Sequence, residues 1–268
     1  MTKNNIKELS IQVNLNGLSF CILNRTSNTV EYLKNFIFES KLTPFDVLNR
    51  LKTELSSNMA FADDFNEVLV IHQNELASLV PKQLYDDKYK ADYLKFNSKI
   101  LKTDFIATDE LVINESINVY VPFVNINNFV FDTFGTFIYK HSSTVLIDSI
   151  LQREENSETS KVFINVNTTS IELAVFNNKE LQLFNVFEYY SKEDFIYYIL
   201  FVFEQLKLDT ETTRVELSGN IDVNDELYKT LYTYVRHVDL YKSNYSFNFS
   251  EEFDEKKLHN HHLILNSF

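Results

Sequence analysis

Apolar and polar residues alternate along two stretches of this chain, and the two can be laid on each other. Ile11-Gln12-Val13-Asn14 matches Ile164-Asn165-Val166-Asn167. Continuing in step, Leu18 meets Ile171, Phe20 meets Leu173, Cys21 meets Ala174, Ile22 meets Val175 and Asn24 meets Asn177. Period-two alternation broken by a polar turn predicts a hairpin in each copy. The turns are Leu15-Asn16-Gly17 and Thr168-Thr169-Ser170. A third strand follows in each, from about Val30 to Phe38 and from about Leu181 to Tyr189.

The period then changes to that of a helix. Thr43 is placed to cap the first, with Pro44 at its first position, and Ser191 to cap the second, ahead of Glu193 and Asp194. The first buries Val47, Leu48, Leu51 and Leu55. The second is apolar nearly all round (Phe195, Ile196, Ile199, Leu200, Phe203), which predicts a central, buried helix. Buried-type strands follow at Glu67 to His72 and Arg214 to Ser218. Asn74 is then expected to open a helix stopped by Pro81, and Asp222 or Asn224 to open its counterpart. A strand from His237 to Tyr241 closes the second copy.

Three strands, helix, strand, helix and strand, written twice, predict an α/β duplication: two mixed sheets flanked by helices. The expected organisation is residues 1–155 as the first half, 156–243 as the second and 244–268 as a tail. The polar stretch Gln152 to Ser160 is the expected linker. Residues 85–122 have no copy in the second half and predict an inserted subdomain, with Tyr89, Tyr93, Phe96 and Tyr120 in its own small core.

Composition narrows the function. Only three glycines occur in 268 residues, Gly17, Gly135 and Gly219. Neither glycine-rich phosphate motif, G-x-x-x-x-G-K-[ST] or G-x-G-x-x-G, can be written with them. A net charge of −13 argues against nucleic acid and anionic membranes, which need clustered Lys and Arg. The lone cysteine, Cys21, sits in an apolar run and excludes a disulfide framework. The polar start of the chain is unlike a signal peptide, and the longest apolar run, Phe195 to Phe203, has nine residues. A cytoplasmic protein without membrane insertion is expected.

The order of elements, together with the stretches Leu9 to Leu23, Val68 to Leu84, Lys161 to Phe176 and Val215 to Asn220, resembles an uncharacterised bacterial family, domain of unknown function 3822, with an actin-like ATPase fold (ribonuclease H-like). It is more distantly similar to pilus-assembly and division proteins of the actin, sugar kinase and Hsp70 superfamily. The resemblance implies a nucleotide held by an Asp-x-Gly hairpin in each half, the aspartate organising Mg²⁺ and water. Here the aspartate positions hold Gln12 and Asn165 and the glycine positions Asn14 and Asn167; a one-residue shift in the first half brings in Asn16. Of the adenosine-side glycine pair, Gly219 remains. The degenerate nucleotide-loop positions are therefore Asn14, Asn16, Asn165, Asn167 and Gly219, with ordinary turn asparagines as the plainer reading.

Other candidates carry less. His259 and His261 would share one face of a strand and hold a metal only with a third ligand such as His237 or Glu255. His72 reads as a polar residue at a strand end, and His141 with Ser142 and Ser143 as a helix start rather than a nucleophile pair. The paired carboxylates Asp63-Asp64, Asp86-Asp87, Glu154-Glu155 and Glu251-Glu252 read as solvated charge. No catalytic residue, metal or obligatory cofactor is expected. The expected function is a degenerate, non-catalytic actin-like protein acting as a scaffold or regulatory partner of another protein. The alternative is an ATP-binding, slowly hydrolysing two-domain switch that uses ATP and Mg²⁺. Tyr228, Tyr232 and Tyr234 suggest a self-association face and a homodimer.

Overall fold

A computed structural model describes residues 5–153, 159–242, 244–250 and 253–268. Glu154-Glu155, Glu251-Glu252 and the middle of the expected linker lie outside the described residues. The chain divides into two compact units. One comprises Met1–Asp148, Tyr245–Phe253 and Leu263–Phe268, and the other Ser149–Asn244 and Asp254–His262.

The first unit opens with β1 (Lys7–Asn14), β2 (Gly17–Asn24) and β3 (Thr29–Ile37), an antiparallel meander. Helix α1 (Pro44–Ser57) follows. Thr43 caps it, its Oγ1 accepting from Asp46 N at 3.2 Å. Strand β4 (Glu67–His72) returns beside β1 in parallel.

Here one expectation fails. The segment after Asn74 is not a helix but strand β5 (Ala77–Pro81). Asn74 Oδ1 accepts from Leu76 N at 2.8 Å, closing a side-chain turn that aims the chain into an extended run. After the short helix α2 (Lys90–Lys95) come β6 (Ala107–Leu111) and β7 (Ser116–Tyr120). With β5 they form a separate three-stranded sheet of order β5-β7-β6. Its core holds Val80, Leu94, Ile117 and Val119, with Tyr93 packed against it. Tyr120 is also fully buried, whereas Tyr89 and Phe96 are exposed, so only part of the expected aromatic set is internal.

Helix α3 (Val124–Phe134), strand β8 (Ile138–His141) and helix α4 (Ser142–Leu151) follow. Strand β8 pairs with β4 in parallel.

The second unit carries β9 (Lys161–Val166), β10 (Ser170–Asn177) and β11 (Glu180–Glu188), again antiparallel. The turn between β10 and β11 places Asn178 and Lys179 at positive φ. Helix α5 (Lys192–Gln205) begins at a complete capping box of Ser191 and Asp194. It is not buried all round: Phe195, Ile199, Val202 and Phe203 fill the core, but Tyr197 is 61% and Phe201 42% exposed. Strand β12 (Arg214–Gly219), helix α6 (Glu226–Tyr234) and strand β13 (His237–Leu240) complete the unit. Helix α6 starts after Asp225, while Asp222 Oδ1 accepts from Asn224 N at 2.9 Å and shapes the turn before it. Tyr232 and Tyr234 on α6 are exposed, and Tyr228 OH donates to Val238 O at 2.8 Å.

The sheet of the first unit runs β3-β2-β1-β4-β8 and that of the second β11-β10-β9-β12-β13, the same order with the same strand directions. In the first unit a two-residue strand of the tail, β14 (Asn248–Phe249), adds in parallel to the outer side of β3. The rest of the tail is a 3-10 turn (Glu255–His261) and the short helix α7 (His262–Leu265).

Candidate functional site

In each unit the expected nucleotide-loop positions lie in the β1–β2 or β9–β10 hairpin, beside the carboxyl end of the neighbouring parallel strand. Backbone pairing dictates which side chains meet there. In the first unit, β1 and β4 run parallel with Val13 opposite His72. The residue after β4, Gln73, thus lands beside the hairpin and donates its N–H to Val13 O at 2.9 Å. Its buried Oε1 accepts from Gln12 Nε2 and from Asn14 Nδ2, both at 2.9 Å. Asn14 Oδ1 in turn accepts from Asn16 N at 2.7 Å. The amides of Gln12 and Asn14 are thus both committed to Gln73, and Asn14 also to the hairpin turn.

The second unit solves the same problem with a carboxylate. Asn165 on β9 sits opposite Glu172 on β10 and Ser218 on β12. Its Nδ2 donates to Glu172 Oε2 at 2.7 Å, and its Oδ1 accepts from Ser218 Oγ at 2.9 Å. All three side chains are buried. Asn167 Nδ2 reaches the same carboxylate at 3.5 Å and Ser170 Oγ at 3.4 Å. Gly219 has φ of +82°, and a Cβ there would stand 2.2 Å from Val166 O and 2.8 Å from Asn165 Oδ1. The glycine is needed because β12 closes directly over the asparagine.

A cleft of ≈ 730 Å³ opens at this end of the second unit. It is lined by Thr168 and Thr169 of the hairpin, Asn220 beyond β12, and the first residues of α5 and α6. Among the described residues its one lining cation is Lys192, which is paired with Glu226. Glu193 and Asp225 add negative charge to the rim. The first-turn donors of α5 are shared with its own cap, since Asp194 N donates to Ser191 Oγ. A magnesium polyphosphate fits this set poorly. The cleft lacks an unneutralised cation for the phosphates, and the nearest buried carboxylate, Glu172, is held by amides.

The other expected residues are structural. His72 is buried, accepting from Phe123 N at Nδ1 (3.2 Å) and facing Asn127 Oδ1 at Nε2 (2.8 Å). Burial lowers its pKa to about 4, so the ring is neutral. His141 and Ser143 do meet, at 2.7 Å, but both are fully buried. His141 Nε2 donates to Asn74 O, and burial lowers its pKa to about 3. A substrate has no access to that pair. Nearby, Asp109 accepts from Tyr120 OH, Thr144 Oγ1 and His141 N, tying the small sheet to the start of α4.

The histidines of the tail do not line a strand. His259 Nε2 donates to Ile221 O at 2.7 Å, and His262 Nε2 faces Ser149 Oγ at 3.1 Å. The 3-10 turn separates their directions, and among the described residues no cluster of ligands suits a metal. Cys21 is buried, which pushes its thiol pKa up and makes it inert. Among the described residues no helix is long and apolar enough to cross a membrane.

The chain belongs to the family described as "Protein of unknown function (DUF3822)", whose model matches residues 1–238. Solved structures place it in the actin-like ATPase fold. A Bacteroides thetaiotaomicron protein with actin-like ATPase fold and unknown function superposes with a TM-score of 0.79 at 20% identity, covering 90% of this chain and 92% of that one. The PilM–PilN type IV pilus biogenesis complex matches with a TM-score of 0.62 at 10% identity, covering 98% and 97%. The ethanolamine utilization protein EutJ from Carboxydothermus hydrogenoformans matches at 0.51 and 7% identity, covering 97% and 88%. No curated protein matches the sequence. At these identities the likeness is one of fold.

Proposed function

For this member of the DUF3822 family, we propose a non-catalytic role: an actin-like fold with degenerate nucleotide loops, serving as a scaffold or regulatory partner of another protein. One observation carries the reading. In both units the side chains at the family's aspartate positions are neutral amides committed to internal hydrogen bonds, Gln12 to Gln73 and Asn165 to Glu172. Hydrolysis needs an anionic oxygen there to organise Mg²⁺ and water. The acidic rim of the cleft works in the same direction. A partner protein is supported by the likeness to PilM, which occurs in a complex with PilN. The shared strand order of the two sheets reads as an internal duplication whose two loops degenerated together.

A second reading, the ATP-binding, slowly hydrolysing switch, is favoured by Glu172. It is a buried carboxylate one hydrogen bond from Asn165, close to Thr168 and Thr169. ATP would enter the cleft from the hairpin side, with Mg²⁺ drawing Glu172 away from its amides. Calorimetric titration with Mg·ATP, followed by phosphate release at high enzyme concentration, separates the two. The scaffold reading expects no heat and no phosphate. Stoichiometric micromolar binding overturns it in favour of the switch.

A further inference from the structure

The two sheets share an order, but their outer antiparallel strands are treated differently. Strand β3 carries Glu31 and Lys34 in its interior, and its outer side takes up the tail strand β14, with Asn248 opposite Thr29 and Phe249 opposite Val30. Strand β11 occupies the corresponding place in the second unit. Among the described residues no strand pairs with its outer side.

Its interior carries none of the charges or prolines that usually protect an edge, and a bulge between Leu181 and Leu183 is its one interruption. Between Glu180 and Glu188 it reads Leu-Gln-Leu-Phe-Asn-Val-Phe, with no Lys, no Pro and no interior charge. A long apolar edge of this kind is a template for another strand. The direction of its backbone groups follows from the ladder. Tyr189 N donates inward to Thr169 O, so alternation turns the N–H groups of Phe184 and Val186 outward. The Val186 N–H is covered by its own neighbour, Asn185 Oδ1, at 2.9 Å. That contact stands in for a missing strand.

We propose that the outer side of β11 is a docking edge for an extended segment of another protein, nine residues long, apolar at alternate positions and basic at both ends. The ends are specified by the exposed carboxylates Glu180 and Glu188, the latter also accepting from Tyr190 OH at 3.2 Å. A second copy of this chain is the poorer occupant. Two-fold antiparallel pairing about Phe184 sets Glu180 against Glu188 of the other copy at both ends, and like charges directly opposite destabilise a strand pair. The strand β14 on β3 shows that this sheet plan accepts an added strand at this position. The inference gives the scaffold reading a surface but does not rest on the phosphate loops, so nucleotide binding would leave it standing.

The test is titration of the full ¹⁵N-labelled chain with an acetylated nonapeptide of alternating Val and Thr, bearing Lys at each end. Its controls are the same peptide with Glu ends and one N-methylated along a single edge. Slowed amide exchange at Phe184 and Val186 is expected, with binding at least tenfold weaker for both controls. The double variant Glu180→Lys/Glu188→Lys should reverse the preference to the Glu-ended peptide. Val186→Pro removes an outward N–H that the β10 ladder does not use, so peptide binding should vanish while the circular dichroism spectrum stays unchanged. If that variant unfolds, the charge reversal decides. No protection at β11 with millimolar peptide overturns the proposal. So does equal binding of the N-methylated peptide, which would mean charge attraction alone. Concentration-dependent dimerisation through β11 would assign the edge to a second copy instead.

Discussion

The side-chain amide of Asn165 donates to the buried carboxylate of Glu172 across the β9–β10 ladder at 2.7 Å. This bond makes Glu172 a structural anchor. Glu172→Ala leaves the buried Asn165 amide unpaired, a loss of about 1–3 kcal/mol. The urea midpoint should fall accordingly, and an unchanged midpoint would remove Glu172 from the stabilising set.

Restoring the aspartate should not restore function. Asn165→Asp places a second carboxylate against Glu172, and two carboxylates at that distance cannot both ionise cheaply. One of them then binds a proton in the folded state more tightly than in the unfolded chain. The variant should therefore be destabilised at pH 7 and recover toward wild type as pH falls below about 5. Denaturation at the two pH values checks this; equal destabilisation at both contradicts it.

Stability should also fall on the acid side for a reason that lies in the histidines. Burial lowers His72 and His261 to about 4, and His141 and His262 to about 3, His262 also feeling Arg153. Below about pH 6.5 the unfolded chain takes up protons that the folded chain does not. Each of the four thus costs stability progressively as the pH falls from about 6.5 toward 4. Urea unfolding at pH 7.5 and pH 5 measures the drop. A flat profile would mean that none of these rings is held neutral in the folded protein.

The glycines differ in what they protect. A Cβ at Gly219 meets Val166 O at 2.2 Å with φ at +82°, so Gly219→Ala should destabilise by more than about 2 kcal/mol. At Gly135, with φ +78° and ψ −140°, a Cβ meets nothing within 4 Å, so the same substitution costs only backbone strain, about 1–3 kcal/mol. Thermal melts of the two variants should rank in that order.

Much of this fold was readable in the residues, because its signals are local. The hairpins announced themselves by alternation and the helix starts at Thr43 and Ser191 by their caps. The misreading after Asn74 has a physical cause. Leu76, Leu79 and Val80 are too few to separate a helical period from a strand, and the deciding contact is the pairing of β5 with β7, some forty residues on. The conformation of the tail was hidden for the same reason, since the partners of His259 and His262 are Ile221 and Ser149. The absence of Asp-x-Gly from both hairpins was visible directly in the residues. The partners of the residues found there were not: Gln73 and Glu172 gain meaning only once strand register sets them beside Gln12 and Asn165. A glutamate inside the apolar run Ile-Glu-Leu-Ala-Val-Phe was the one available signal.

The central claim is that these loops no longer hold nucleotide. A thermal-shift titration with ATP, ADP and GTP, with and without Mg²⁺, tests it directly, because a ligand that binds the folded state must raise the melting temperature. The account predicts no shift at millimolar nucleotide under any of these conditions. A rise with ATP that requires Mg²⁺ would contradict it and make the chain a nucleotide-binding switch.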